Sequence, residues 1–277
     1  MAQDSYHFQI GAIPCIVFAS AREPLPQSLV ESIFTQDAER MVAQWNTLPA
    51  PQEFCQNILY LETGGERILI DTGEGENVPE KPGQLLNLLH AEGIDPASID
   101  TIILTHFHID HLGGLLDSAG NVMFPNARLL TRREEYDYYT REDVLANLKP
   151  PRPQILRATL AAYPPEFVEV GDEIATGISL IAAPGHTPGH SAVLIESQGE
   201  SLLHIVDAAH MIIQLNATDA VPRFDNQPEV ATATRESLFE RAEREHLLTM
   251  AYHFPFPGLG YIEGDAIGQR KWTTFSD

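Results

Sequence analysis

A chain of 277 residues with 17 Lys and Arg against 39 Asp and Glu carries a formal net charge of −22, and 43% of it is hydrophobic. Its length and apolar content suit a globular protein with a sizeable core. The acidic balance disfavours nucleic acid and anionic membranes as partners. No apolar run approaches the roughly 18–20 residues of a membrane helix, and no basic-then-apolar leader opens the chain, so a cytoplasmic protein is expected. Cys15 and Cys55 read as reduced core thiols rather than as a disulfide scaffold.

In chain order, residues 6–10 and 13–18 read as two short strands around a Gly-Ala turn. Residues 20–54 differ in character. Pro24, Pro26, Pro49 and Pro51 flank a helical stretch near 28–45 in which Leu29, Ile33 and Phe34 have helical spacing. This segment reads as an insertion or N-terminal elaboration of one 277-residue domain: a lid, a homodimer contact or a plain surface addition. Residues 57–63 and 66–71 are strands joined by Gly64-Gly65, ending in Asp71-Thr72-Gly73. A helix over 82–92 starts at Pro82, buries Leu85, Leu86, Leu88 and Leu89, and stops at Gly93.

The strand 101–104 then runs straight into Thr105-His106-Phe107-His108-Ile109-Asp110-His111-Leu112-Gly113-Gly114. Imidazole and carboxylate are usual ligands of zinc and similar ions, and strand ends are where α/β folds build sites. Four potential ligands within six residues make incidental histidines a poor explanation. His106 and His108 can converge on one ion while Asp110 and His111 serve a second, and the Gly-Gly pair allows a tight turn beneath them.

Beyond it lie a strand at 127–130 and a charged helix at 132–148, containing Glu134, Glu135 and three tyrosines that either line a pocket or pack in the core. A Pro-rich loop, a short helix at 154–162 and strands at 166–170 and 178–182 lead into Pro184-Gly185-His186-Thr187-Pro188-Gly189-His190. Strands at 191–196 and 201–206 follow, the second ending at Asp207. His210 and the apolar run Met211 to Leu215 come next, apolar enough to face a hydrophobic substrate. A charged helix at 228–246, a strand at 247–252 that presents His253, and one or two edge strands within 261–275 complete the chain. The two halves repeat one theme of hairpins, a ligand-bearing strand end and a helix. This predicts two β-sheets packed face to face with helices outside.

The string HFHIDH resembles the His-x-His-x-Asp-His signature of the metallo-β-lactamase superfamily. Asp71-Thr72-Gly73, the loop from Pro184 to His190, Asp207 and His253 resemble its other parts in the same order, over about residues 55–265. The tail HFPFPGLG from His253 is similar to the branch containing methyl parathion hydrolase and related lactonases. The resemblance implies a four-layer αβ/βα sandwich of two mixed sheets. It also implies two divalent ions: zinc first, with cobalt, manganese or iron suiting the same ligands. His106, His108 and His186 would hold one ion, and Asp110, His111 and His253 the other, with Asp207 bridging. A hydroxide shared by the ions would be the nucleophile, and Asp110 would hold it or pass a proton to the leaving group.

The same resemblance gives Asp71 the task of orienting the metal loop, although Asp-x-Gly also reads as a simple turn. His190 is expected to support the ligands or the strand it begins. Cysteine is absent from the Asp207 position, which weakens a β-lactamase reading, and His108 argues against the flavodiiron branch. Acyl-homoserine lactonases carry tyrosine where this chain has His210, which is expected either to donate a hydrogen bond in catalysis or to pack in the loop. Phe107, Met211, Ile212, Phe254 and Phe256 are the expected pocket residues. The resulting expectation is a metal-dependent hydrolase of a small-molecule lactone or related ester, promiscuous towards organophosphate triesters. The alternatives are a glyoxalase II-like thioesterase and a non-catalytic metal-binding protein.

Overall fold

Alternation of side chains along the strands sets the architecture. In the computed structural model, which describes residues 4–49, 52–76, 82–266 and 268–276, successive strand residues enter different apolar clusters. Pro51 and the first three residues of the N-terminal stretch lie outside the described residues.

The first half of the chain contributes β1 (Ser5–Ile10), β2 (Ile13–Pro24), α1 (Gln27–Ile33), α2 (Ala38–Trp45), β3 (Glu53–Thr63), β4 (Glu66–Ile70), α3 (Leu85–Ala91), β5 (Thr101–Ile103) and α4 (Ile109–Leu112). After these come β6 (Arg128–Thr131), α5 (Arg133–Tyr139), α6 (Glu142–Asn147), α7 (Arg152–Ala162) and β7 (Glu166–Phe167). The second half gives β8 (Glu173–Ala175), β9 (Ile178–Ala182), β10 (Ser191–Ser197), β11 (Glu200–Val206), α8 (Pro228–Arg244), β12 (Leu248–Ala251), β13 (Leu259–Gly264) and β14 (Arg270–Thr274). One sheet runs β1-β2-β3-β4-β5-β6-β7 and the other β14-β13-β12-β11-β10-β9-β8.

Leu59 and Leu61 of β3 face the inter-sheet cluster, where they meet Val193, Ile195, Leu202 and Met250 of the second sheet. Their neighbours Ile58 and Tyr60 face the opposite way, into a cluster completed by α3, α5, α6 and α7. On the far side, Leu203 and Ile205 of β11 pack against Leu238, Phe239 and Ala242 of α8. Period-two patterning on strands buried on both faces therefore produces four layers, helix–sheet–sheet–helix. Among the described residues no helix is long and apolar enough to cross a membrane.

Both sheets are mixed, and their parallel parts aim the site. β4, β5 and β6 are mutually parallel, as are β11 and β12. β9 is antiparallel to β10, which is antiparallel to β11, so β9 and β11 run the same way. The carboxyl ends of β4, β5, β9, β11 and β12 thus open at the inter-sheet rim, and each is followed at once by a residue group picked out above.

The strand expected at 166–170 is cut to Glu166–Phe167, and three further expectations differ. β2 and β3 run on as a ribbon to the pair Pro24↔Glu53, past a register shift between Ala19 and Ala21. The helix expected near 28–45 is two helices, because the chain turns after α1 to bury Phe34 completely. The helix expected at 132–148 also breaks, at Thr140, whose hydroxyl donates back to the Tyr136 carbonyl at 2.7 Å. The apolar faces of α1 and α2 are used within the chain: Val30, Ile33, Phe34 and Met41 pack on Met211, Ile213, Ala217 and Ala220 of the loop after β11. Replacing Phe34 with alanine should cost about 3–5 kcal/mol, as for a fully buried ring. Urea unfolding measures this, and a cost below ~1 kcal/mol would make the helical pair a loosely attached addition.

Candidate metal centre

The rim is built from strand exits, and backbone strain marks two of them. Val206, the last residue of β11, has φ +50° beside a register shift between His204 and Val206. A β-branched residue avoids that region, so the bulge is held by its surroundings and re-aims Asp207 into the rim. Asp71, just after β4, has φ +63°. At this angle its carboxylate accepts from the Thr105 backbone N–H at 2.9 Å and the Thr105 hydroxyl at 2.8 Å, and lies 2.8 Å from His111 Nδ1. Gly113 and Gly114 are needed for close approach rather than for turning. A Cβ on Gly114 would stand 2.1 Å from the Thr72 carbonyl oxygen, and neither residue has positive φ.

The side chains converge. His106 Nε2 and His186 Nε2 lie 3.1 and 2.8 Å from His108 Nδ1. Asp207 Oδ2 lies 3.3 Å from each of His111 Nε2, His186 Nε2 and His253 Nε2, 3.5 Å from His210 Nε2 and 3.8 Å from His106 Nε2. Asp110 Oδ2 is 3.5 Å from His253 Nε2. Two groups each bring four ligand atoms within 4.8 Å of one another: His106, His108, His186 and Asp207, and Asp110, His111, Asp207 and His253.

The ring nitrogens turned away from the centre have fixed partners. His111 is tied to Asp71, His186 to Asp225 at 3.0 Å, His253 to the Cys55 carbonyl at 2.8 Å and His106 to the Thr105 hydroxyl at 3.1 Å. Such anchoring selects a tautomer and leaves the inward lone pair exposed. Burial holds His106, His108 and His186 well below the usual imidazole pKa, so these rings are neutral. His111 Nε2 and Asp207 Oδ1 have no hydrogen-bond partner among the described residues, though both are buried. Inward lone pairs around one carboxylate, with buried acceptors unsatisfied, suit divalent cations and are costly without them. The donor set, imidazole and carboxylate with no thiolate, fits zinc-type ions.

His190 occupies a different position. Its Nδ1 contacts the Ala183 carbonyl at 2.8 Å and its Nε2 accepts from the Asp207 backbone N–H at 3.2 Å, so both nitrogens are used in holding the Asp207 backbone. His210 is buried at the rim, its ring stacked on His253 with centroids 5.5 Å apart. Neither of its nitrogens makes a hydrogen bond among the described residues.

Above the cluster opens a cavity of about 850 Å³ that reaches His108, Asp110, His186, Asp207, His210 and His253. Of the expected pocket residues, Phe107 lines it, and Met211, Ile212, Phe254 and Phe256 do not. Phe254 packs behind the sheet against Trp272. His253 points into the rim, and the next side chain along an extended segment points away. Phe256 joins the inter-sheet cluster, Met211 is buried against α1 and α2, and Ile212 packs on the cluster around α8. The aromatic walls come instead from Phe54, Phe107, Tyr139 and Phe224. Phe54 stacks on His253 at 4.3 Å and Phe224 lies 5.5 Å from His210. Both cysteines are free and buried, and burial pushes each thiol up to about 12.

Chain similarity agrees with this geometry. A model of the metallo-beta-lactamase superfamily matches residues 53–245, more than half of the sequence. The chain belongs to the metallo-β-lactamase superfamily. It is 29% identical over 211 residues to the N-acyl homoserine lactonase AiiA of Bacillus thuringiensis subsp. kurstaki, covering 67% of this chain and 75% of that protein. Among solved structures it is similar to AidC, a dizinc quorum-quenching lactonase in complex with a product, with TM-score 0.85, 25% identity and 99% and 98% of the two chains covered. It shares its fold with the hydrolase AbOPH at TM-score 0.87, 24% identity and 100% and 99% coverage.

Three supporting residues escape the sequence reading. Glu135 of α5 looks like part of a charged helix face, yet it is fully buried. Its carboxylate accepts from the Phe107 backbone N–H at 2.9 Å, the Gly189 backbone N–H at 3.0 Å and the Thr187 hydroxyl at 2.6 Å. One side chain thereby ties the loop of His106 and His108 to the loop of His186. Its i+4 partner on the helix, the buried Tyr139, is the only sequence hint of an inward face. Asp225 is held by Arg235 of α8 at 2.9 Å, and Arg235 also donates to the carbonyls of Ala208, Thr218 and Ala220.

Burial raises the Glu135 carboxyl from 4.5 to about 7. Folding therefore takes up a proton at Glu135 between these values. Its contribution is complete below pH 4.5 and falls as pH rises through about 7. In metal-free protein, wild type should lose stability relative to Glu135→Ala between pH 4.5 and about 7 in urea unfolding, and parallel pH profiles would refute the assignment. Glu135→Ala itself should be destabilised by ~2–4 kcal/mol through the three donors it strands.

Proposed function

We propose that this chain is a metal-dependent hydrolase of lactones and closely related carboxylic esters. The observation that carries the reading is the pair of four-ligand clusters sharing Asp207 on the floor of an open cavity. The similarity to lactonases supports the substrate class. His106, His108 and His186 would hold one divalent ion and Asp110, His111 and His253 the other, with Asp207 between them and zinc the first choice. Bound ions supply Lewis acidity to the ester carbonyl and acidify water as the nucleophile.

The chain's own residues supply the rest. The Asp110 side chain is 28% exposed, reaches the cavity, and can accept a proton from water and return it to the leaving oxygen. Its backbone carbonyl is pinned by the Tyr252 hydroxyl at 2.6 Å. His210, whose Nδ1 has no partner among the described residues and whose Nε2 lies 3.5 Å from Asp207 Oδ2, can donate to the carbonyl or leaving oxygen. The aromatic walls exclude water from the ester and suit an uncharged acyl or aryl portion. The whole chain acts as one catalytic unit, and the ribbon flanking α1 and α2 contributes Ser20, Ala21, Arg22, Glu23 and Phe54 to the cavity.

An open, deep cavity over the ligands favours catalysis over an inert, coordinatively closed metal store. A glyoxalase II-like thioesterase uses the same chemistry, so a turnover panel of lactones, thioesters and phosphotriesters decides between them. Lactones should lead, with phosphotriesters as minor substrates. Thioester turnover exceeding that of every lactone would overturn the reading.

Purified protein should carry about two divalent ions per chain by elemental analysis, and chelation should abolish turnover. Asp207→Ala should lose at least one ion and at least ~100-fold in kcat/KM, the upper end of the effect of removing a residue that only supports a ligand. Full metal content with full activity in that variant would exclude a bridging role. His210→Phe keeps the ring stacking and removes the donor. A fall in kcat with little change in metal content is expected, and an unchanged kcat would return His210 to packing alone.

A further inference from the structure

A histidine inside an apolar sheet interface needs a physical reason. His204 lies in β11, two residues after Leu202 and on the same face, which alternation turns towards the inter-sheet layer. Its ladder partners are Val193 and Met250, both members of the inter-sheet apolar cluster, and the ring is fully buried. Its Nε2 has no hydrogen-bond partner among the described residues. Burial lowers the imidazole to about 4, so the ring is neutral at neutral pH and carries one proton. A leucine here would fill the layer without leaving a buried polar atom unmatched. Nothing in the hydrolytic chemistry above uses His204.

The other ring nitrogen stands at the bulge. Nδ1 is 3.3 Å from the Val206 backbone nitrogen and 3.2 Å from the Met250 carbonyl oxygen. One nitrogen of a neutral ring cannot accept from the first and donate to the second at once. A backbone N–H has a single bond to give and is rarely orphaned when buried, whereas a carbonyl has two lone pairs and tolerates a missing partner better. Nδ1 is therefore the acceptor for the Val206 N–H, and the proton sits on Nε2. At the next residue, the Asp207 N–H donates to His190 Nε2 at 3.2 Å. Two consecutive N–H groups of the bulge thus end on the rings of two histidines. They belong to the residue with φ +50° and to the carboxylate that both ligand groups share.

We propose that His204 is a positioning residue: its Nδ1 holds the Val206 N–H in the strained bulge and thereby aims Asp207 at both cation positions. This rests on the metal-centre part of the reading above and adds to it a residue that touches neither ion nor substrate. The buried Nε2–H is the energetic penalty of that hold. Without the acceptor, Val206 is free to leave the left-handed region. The Asp207 carboxylate then turns away from His111, His186 and His253, whose Nε2 atoms lie 3.3 Å from its Oδ2.

Three variants separate this role from packing. His204→Asn places an amide oxygen where Nδ1 stands, His204→Gln moves it to where Nε2 stands, and His204→Leu keeps only apolar volume. Chelator-stripped proteins are dialysed against zinc at buffered free concentrations, and bound zinc is read by elemental analysis. Urea unfolding of the stripped proteins reports stability. The Leu and Gln variants should need roughly 10–100-fold more free zinc to reach full loading, while the Asn variant stays within about threefold of wild type. The stripped Leu variant should unfold at a urea midpoint no lower than that of wild type, because the unmatched Nε2–H is gone. Wild-type zinc affinity in either the Leu or the Gln variant overturns the proposal, as does an Asn variant weakened as far as Gln. A Leu variant with both a lower urea midpoint and weaker zinc binding makes His204 a packing residue and also overturns it. Should the Leu variant fail to fold, the Asn and Gln pair decides by the same criteria. Turnover of a γ-lactone by zinc-saturated wild type is read separately. No turnover with the zinc pattern intact removes the hydrolase reading and leaves His204 in its role, whereas a wild type that takes up no zinc removes the metal centre and this proposal with it.

Discussion

One carboxylate oxygen organises this structure. Asp207 Oδ2 has the ring nitrogens of His111, His186 and His253 at 3.3 Å, with those of His210 and His106 slightly farther off. Desolvating so many polar atoms in one place is expensive unless each is paired or meets a cation. The chain meets this cost from outside inward. Asp71, Asp225, Thr105 and the Cys55 carbonyl each fix one ring from behind, so the inward lone pairs are aimed before any ion arrives. Cation binding then satisfies buried nitrogen and carboxylate atoms that otherwise lack partners among the described residues, which couples loading to stability.

The same centre explains why strain is tolerated where it is. The left-handed conformations of Val206 and Asp71 are unfavourable in isolation. Each is held by contacts a relaxed backbone would lose. Asp207 keeps its N–H on His190, and Asp71 keeps three partners at once. Arg235 plays a comparable part over a longer distance, because one guanidinium spans three carbonyls of the loop after β11 and the carboxylate behind His186. Its burial is compensated by that full set of acceptors.

Much of this was legible in the sequence because ligands cluster at strand exits. His106, His108, Asp110 and His111 announce themselves by density, and Asp207 and His253 each follow an apolar run. The two-sheet architecture follows from period-two apolar runs, and the sheets' helical cover from the leucines of α3 and the charged run of α8. The misses have a common cause. Glu135, Asp225 and Arg235 are charged residues on segments that look solvated, and only the tertiary arrangement buries them. The pocket assignment failed at Phe254 for the opposite reason. Adjacency to His253 suggested nearness to the site, yet alternation sends consecutive side chains to opposite sides. The short breaks within 28–45 and 132–148 are invisible to helical periodicity, since both pieces keep an apolar face.

The segment between β2 and β3 shows how an elaboration of the sheet can shape a site without supplying a ligand. Its helices bury Val30, Ile33, Phe34 and Met41 against the loop that follows Asp207, and its flanking ribbon brings Phe54 onto the His253 ring. The Ile33 carbonyl accepts the Arg223 backbone N–H, so the same segment anchors the loop that lines the cavity at Phe224. Ligand positions are fixed by β-ladders and their buried carboxylate anchors, whereas the walls depend on helix packing of ordinary apolar type. On the proposed hydrolase reading, substitutions in those walls would alter which ester is admitted while leaving the cation-binding rim in place, and selectivity would be set by the cavity-lining residues of β2, β3, α5, α7 and the loop before α8.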